Sequence, residues 1–182
     1  MTIKQIADPG HEFILPAARI LMETFVELSP DSWPDMKSAE STVRECLEPG
    51  RVVLAAYDGQ SLAGWTGARP QYGTTGWELH PIVVDIPYQG KGVGASLLRR
   101  LESEVKLLGG VTLFLGADDE TGRTSLSGKN LYDNLWKEID GIKNLAGHPY
   151  EFYIKNGYII VGVIPDANGI GKPDILMAKR LL

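Results

Sequence analysis

The chain has 182 residues, 43% hydrophobic and 23% charged, with a formal net charge of −5 at neutral pH. That length and mix predict one globular domain, spanning 1–182, with enough apolar surface for its own core. The acidic balance, with no basic run longer than Arg99-Arg100, argues against nucleic acid as a partner and suits a cationic ligand or plain solubility.

The first twenty residues carry Asp8, His11, Glu12 and Arg19 and lack a basic start followed by a long apolar run. Neither a signal peptide nor a membrane span is therefore expected. Apolar residues from Phe13 to Val26 recur at helical spacing over 11–28, and "SPDSWPDM" breaks the pattern with two prolines. A short helix is expected over 38–47, stopped by Pro49-Gly50. It holds Cys46, the one cysteine, which excludes an intramolecular disulfide and a cysteine zinc cluster and reads as a small buried helix residue. A reducing cytoplasm fits that usage. The three histidines His11, His80 and His148 show no ligand spacing, so no metal is expected.

"RVVLAAYDGQSLAGWTGARP" predicts a hairpin turning at Asp58-Gly59. "WELHPIVV" is a third strand and "VTLFLG" a fourth, with an amphipathic helix between them marked by Leu97, Leu98, Leu101, Val105 and Leu108 and ended by Gly109-Gly110. Residues 117–130 read as an exposed loop and 130–140 as helical. Pro149 opens another helix that Gly157 closes, and "YIIVGVI" and "DILMAKRL" are the last two strands. The order α-α-β-β-β-α-β-α-α-β-β predicts an α/β (α+β) fold, a mixed sheet with helices packed on it.

The chemistry centres on "QGKGVG", residues 89–94. A nucleoside-triphosphate loop requires Gly-Lys-Ser/Thr, and Gly-Lys-Gly stands here. Gly90, Gly92 and Ala95 match the loose dinucleotide pattern, but only two strands follow Val111–Gly116, too few for that fold. Read from Gln89, the spacing Gln-x-x-Gly-x-Gly lets successive backbone N–H groups face a pyrophosphate at a helix start. Glycine admits the close approach and Gln89 can add a donor. The following strand would diverge from the one before the loop to admit an acyl-pantetheine arm.

"QGKGVG" between a strand containing "IVV" and an amphipathic helix resembles the acetyl-coenzyme A signature of the GNAT superfamily of N-acetyltransferases. "RPQYGTTGWELHPIVV", "GGVTLFLGADD" and "HPYEFYIKNGYIIVGVIPDANGIGKPDILMAK" are further similar to the aminoglycoside 6'-N-acetyltransferases, most of all those of Gram-positive bacteria. The N-terminal third matches more loosely, around "SWPD".

The resemblance implies a mixed, mostly antiparallel sheet, acetyl-coenzyme A as co-substrate, a cationic amine acceptor attacking the thioester directly, a cytoplasmic setting and a homodimer to which the "DILMAKRL" strand contributes. Ile82, Val83 and Val84 would offer backbone groups to the pantetheine, with the Ile82 N–H toward the thioester oxygen. Gln89, Gly90, Lys91, Gly92, Val93 and Gly94 would cradle the pyrophosphate. Glu78 and His80 alternate on one strand face, Glu78 as base or ammonium anchor and His80 in support. A sheet-face salt bridge and a structural hydrogen bond are their alternative readings. Tyr153, or less favourably Tyr150, matches the tyrosine that protonates the departing thiolate, against a reading as core packing. Trp33, Asp118, Asp119 and Glu151 would line the acceptor cleft with Glu78, although Asp118 and Asp119 also read as a solvated loop. Other acceptors remain open, a polyamine, a small metabolite or a protein N-terminus, as does a non-catalytic coenzyme A-binding module.

Overall fold

The computed structural model describes residues 1–7 and 11–182, so Asp8 lies outside the described residues. In chain order the elements are β1 (Thr2–Gln5), α1 (His11–Phe25), α2 (Met36–Cys46), β2 (Val52–Asp58), β3 (Ser61–Tyr72), β4 (Gly76–Val84), a 3-10 turn (Ile86–Tyr88), α3 (Val93–Leu107), β5 (Thr112–Asp118), α4 (Leu135–Asp140), α5 (Tyr150–Lys155), β6 (Ile159–Ile164) and β7 (Asp174–Arg180). The strands form a seven-stranded mixed sheet in the order β1-β2-β3-β4-β5-β7-β6, with helices packed on it, an α/β fold. Two compact units divide the chain: Met1–Val26, Pro30–Leu113 and Arg180–Leu182 in the first, Glu27–Ser29 and Phe114–Lys179 in the second.

In the first unit β1 to β4 form an antiparallel meander. One core joins α1 and α2 to β2, β3 and β4 through Phe13, Ala17, Leu21, Val43, Val53, Trp65 and Val83. α2 starts where Asp35 caps it: the Ser38 N–H donates to Asp35 Oδ1 at 2.8 Å, and the Asp35 N–H reaches Ser38 Oγ. Such a reciprocal cap stabilises a short helix by about 1 kcal/mol. α3 buries the apolar stripe that the sequence predicts, with Leu97, Leu98, Leu101 and Val105 fully enclosed against β2, β3 and β4. Burial of each leucine stabilises by roughly 2 kcal/mol.

In the second unit β7 lies between β5 and β6 and pairs antiparallel with β6. β7 is therefore an interior strand, and β6 is the edge. The loop after β5 is tied down by Asp119, and a buried His148 stands just ahead of α5.

Three elements differ from expectation. β1 pairs with β2, yet four residues, TIKQ, are too few for a period-2 pattern to show. The hairpin turn is Gly59-Gln60, because Asp58 still pairs with Ser61. Helix α4 covers only six residues, 135 to 140.

Candidate active site

β4 carries the centre of the site, and its register explains which way its side chains face. Leu79 pairs with Ala68 and Ile82 with Thr66, so three steps along β4 match two along β3. That extra residue is a β-bulge at His80-Pro81, and a bulge reverses the facing of the residues beyond it. Trp77 lies beside Gly110 and Val105 at the end of α3, whereas Val83 joins the α1–α2 core. Gly67 sits opposite the bulge, where an added Cβ would lie 2.8 Å from the His80 carbonyl. Only glycine permits that approach.

Glu78 and His80 precede the reversal and share the face toward α2. Glu78 Oε2 accepts from Arg69 Nε and from Gln71 Nε2, each at 2.7 Å. Arg69 Nη1 also donates to Glu45 Oε1 on α2 at 2.9 Å, where Arg51 Nη1 joins at 3.0 Å. Burial pushes the Glu78 carboxyl upward, but the Arg69 and Gln71 hydrogen bonds, the Arg69 charge and His80 together outweigh it and hold it below the ordinary carboxylate value. Glu78 is thus an ionised carboxylate on a partly open strand face. The salt-bridge reading of Glu78 holds, with Oε2 as the oxygen that carries both hydrogen bonds.

His80 stacks toward Trp33, ring centroids 6.1 Å apart, and Trp33 packs edge-on against Phe25 at 4.7 Å. The Trp33 indole donates to Thr42 Oγ1 at 2.9 Å, which fixes its plane. Trp33, Glu78 and His80 therefore come together in the first unit. Cys46 lies behind them, its Sγ 3.4 Å from the His80 carbonyl oxygen. Burial pushes that thiol up to about 12, so it stays protonated and is no nucleophile.

The 89–94 segment leads into α3 in the same unit. Gly90 and Gly92 have φ of +71° and +81°, and an added Cβ at either would meet nothing within 4 Å. Their role is conformational, and the space over the loop is open. Gly92 is the N-cap and no side chain caps the helix, so the N–H groups of Val93, Gly94 and Ala95 have no helical partner. Those groups fit a phosphate. Val83 and Val93 side chains are buried, which limits their part to backbone groups. Lys91 is exposed, with Nζ 5.7 Å above the Tyr88 ring. The Gln89 amide donates to the Val84 carbonyl at 3.0 Å, so it secures the loop to the strand end.

The remaining expected residues belong to the second unit. Asp118 is exposed, with Oδ1 accepting from Asn168 Nδ2 at 2.5 Å. Asp119 is not on the open surface of an acceptor cleft but turned inward: it is 1% exposed, with Oδ1 held by the Arg123 N–H and Oδ2 by the N–H and hydroxyl of Thr124. Glu151 is exposed and 3.7 Å from Lys155. Tyr153 is buried, its ring edge-on to Phe152 and Tyr158 at 5.1 and 5.7 Å, and burial raises its phenol well above 10. Tyr150 is buried too, its N–H donating to His148 Nδ1 at 3.2 Å. Among the described residues no cluster of His, Cys, Asp and Glu could hold a metal ion, and no helix is long and apolar enough to cross a membrane.

Arg69 and Gln71 are the site residues that the sequence does not reveal. Arg69 lies at the end of the predicted hairpin segment and Gln71 just beyond it, and the pairing of this stretch with β4, with its shift at Gln71, emerges only in the structure.

The profile of the acetyltransferase (GNAT) family matches residues 16–127. Among solved structures, an aminoglycoside 6'-N-acetyltransferase complexed with coenzyme A is 43% identical with a TM-score of 0.90, covering 100% of this chain and 98% of that one. The aminoglycoside 6'-N-acetyltransferase from Enterococcus faecium is likewise 43% identical, with a TM-score of 0.88 over 100% and 98% of the two chains. An aminoglycoside 6'-acetyltransferase type Ii is 36% identical, with a TM-score of 0.70 and the same coverage. No curated protein matches. With the family profile spanning more than half of it, the chain belongs to the acetyltransferase (GNAT) family.

Proposed function

We propose that the protein transfers the acetyl group of acetyl-coenzyme A to a primary amine, the 6'-amino group of aminoglycosides, by direct attack in a ternary complex. The observation that carries this reading is the full-length likeness, at 43% identity, to an aminoglycoside 6'-N-acetyltransferase complexed with coenzyme A. The uncapped start of α3 supports the co-substrate, since its three free N–H groups under an open glycine loop fit a pyrophosphate.

Acetyl-coenzyme A supplies an activated acyl thioester when bound. Backbone groups of Ile82, Val83 and Val84 hold its arm, and the Ile82 N–H polarises the thioester carbonyl. Gln89, Gly90, Lys91, Gly92, Val93 and Gly94 hold the pyrophosphate, Gln89 by shaping the loop. Glu78 takes the acceptor ammonium. Proton transfer from an alkylammonium with a pKa of about 10 to a carboxylate held below its ordinary 4.5 costs upward of about 7 kcal/mol. Glu78 therefore anchors and orients the amine, and its proton leaves through water, with His80 alongside. Trp33 borders the amine position next to His80. Tyr153 remains protonated at neutral pH and is assigned to the leaving thiolate. Asp118 and Glu151 attract the polycation.

The whole chain, 1–182, acts as one catalytic domain in the cytoplasm, where the thiol of Cys46 stays reduced. It works as a homodimer joined at β6, the edge strand, on which Ile159, Val161 and Ile164 are exposed. Free-thiol release from acetyl-coenzyme A in the presence of kanamycin-type compounds tests the activity. Release only with polyamines or peptide N-termini would assign the acceptor elsewhere.

A further inference from the structure

Arg69 and Gln71 converge on one oxygen of Glu78. Arg69 Nε and Gln71 Nε2 both donate to Oε2 at 2.7 Å, from opposite ends of a short stretch of β3. Arg69 stands directly across from Glu78 in the ladder, and Gln71 is the extra residue of a second bulge between Pro70 and Tyr72. That bulge places both side chains in reach of the same carboxylate. Arg69 is itself fixed from α2, because its Nη1 donates to Glu45 Oε1, which Arg51 also holds. The chain of contacts runs from α2 through Arg69 to Glu78.

We propose that Arg69 and Gln71 are positioning residues for acetyl transfer: they lock the Glu78 carboxylate by Oε2 and present Oε1 as the oxygen that takes the acceptor ammonium. This rests on the reading of Glu78 as the ammonium anchor. A freely rotating carboxylate would offer either oxygen in many directions, and a reacting nitrogen tolerates little misplacement. Two donors on one oxygen remove that freedom and keep the group ionised as pH falls. The charged and titratable groups around it are Arg69 on β3, Glu45 and Cys46 on α2, Arg51 in the α2–β2 connection and His80 on β4. Arg69 is held charged by its Glu78 hydrogen bond, and Cys46 stays a thiol. Glu45 is held below its ordinary value by the Arg51 hydrogen bond and so stays ionised through the same range.

Kinetics of Gln71→Met, Arg69→Met and Arg69→Lys test this beside wild type and Glu78→Gln. Gln71 is exposed, so Gln71→Met folds even if Arg69→Met does not. Gln71→Met is expected to lower kcat/KM for the amine about tenfold while KM for acetyl-coenzyme A is unchanged. The acid limb of its kcat/KM profile moves to higher pH, because a donor to the ionised form is gone. Arg69→Met gives a larger loss that Arg69→Lys restores in part. Gln71→Met adds no further loss on top of Glu78→Gln, as expected of a residue that acts through another. Folded Gln71→Met and Arg69→Met with wild-type amine kinetics and an unmoved acid limb overturn the assignment, as do losses additive with Glu78→Gln. A protein that acetylates no amine overturns the parent reading and this one together; an active protein impaired only by Glu78→Gln overturns this one alone.

Discussion

Thr124 gives both its backbone N–H and its hydroxyl to a single oxygen of Asp119, at 2.8 and 2.7 Å, while the Arg123 N–H takes the other oxygen at 2.6 Å. Two adjacent aspartates therefore do different work. Asp119→Ala leaves three donors unmatched, the two of Thr124 buried, and is expected to cost on the order of 3 kcal/mol, read as a fall in the denaturant midpoint. Asp118→Ala, at an exposed position, leaves stability within about 0.5 kcal/mol. Its expected effect is a higher KM for polycationic acceptors with KM for acetyl-coenzyme A unchanged. Equal destabilisation by both variants would contradict the division.

Those aspartates also mark the limit of what a sequence conveys. "GADDE" shows an acidic loop, but which carboxylate turns inward depends on Thr124, five residues on, and on no periodic pattern. β4 is a similar case. The alternation of Glu78 and His80 is legible, whereas the bulge that reverses Ile82 and Val83 becomes visible only once Leu79 and Ile82 are paired with Ala68 and Thr66. The glycine loop and α3 are readable because their signals are local: the Gln-x-x-Gly-x-Gly spacing from Gln89 to Gly94, and a helical apolar stripe from Leu97 to Val105. β1 and Gln71 are not, since a short strand and a bulge are set by partners distant in sequence.

The loop carries the next prediction. Gly92 holds φ of +81°, a conformation that costs an alanine about 1–2 kcal/mol. Gly92→Ala is expected to raise KM for acetyl-coenzyme A severalfold and to weaken thermal protection by coenzyme A, with amine KM little changed. Undiminished protection by coenzyme A would remove the loop from the cofactor site.

His148 should make stability pH-dependent on the acid side. Its Nδ1 accepts the Tyr150 N–H, so Nε2 bears the proton and donates to the Asp118 carbonyl at 3.1 Å. Burial lowers its pKa from 6.5. The unfolded chain then binds a proton below 6.5 that the folded chain refuses. Stability is full above pH 6.5 and falls as pH drops from there toward the depressed folded value, by at most about 1.4 kcal/mol per pH unit. Thermal unfolding from pH 7.5 to 5 should show this slope, and His148→Gln should flatten it. An equal slope in the variant would show that other groups are responsible.

Tyr153 is expected to separate chemistry from packing. Tyr153→Phe retains the ring that meets Phe152 and Tyr158, so the melting temperature should move little. Loss of the proton donor should lower kcat by tenfold or more. An unchanged kcat would leave Tyr153 as a core residue only.

The most direct test of the account is the identity of the acetylated atom. Purified protein with acetyl-coenzyme A and an aminoglycoside bearing a 6'-amine should release one thiol per molecule and yield product acetylated at that nitrogen, as read by NMR. A congener with a 6'-hydroxyl in its place should release none. Equal turnover of both compounds, or acetylation at another nitrogen, would contradict the assignment of the acceptor.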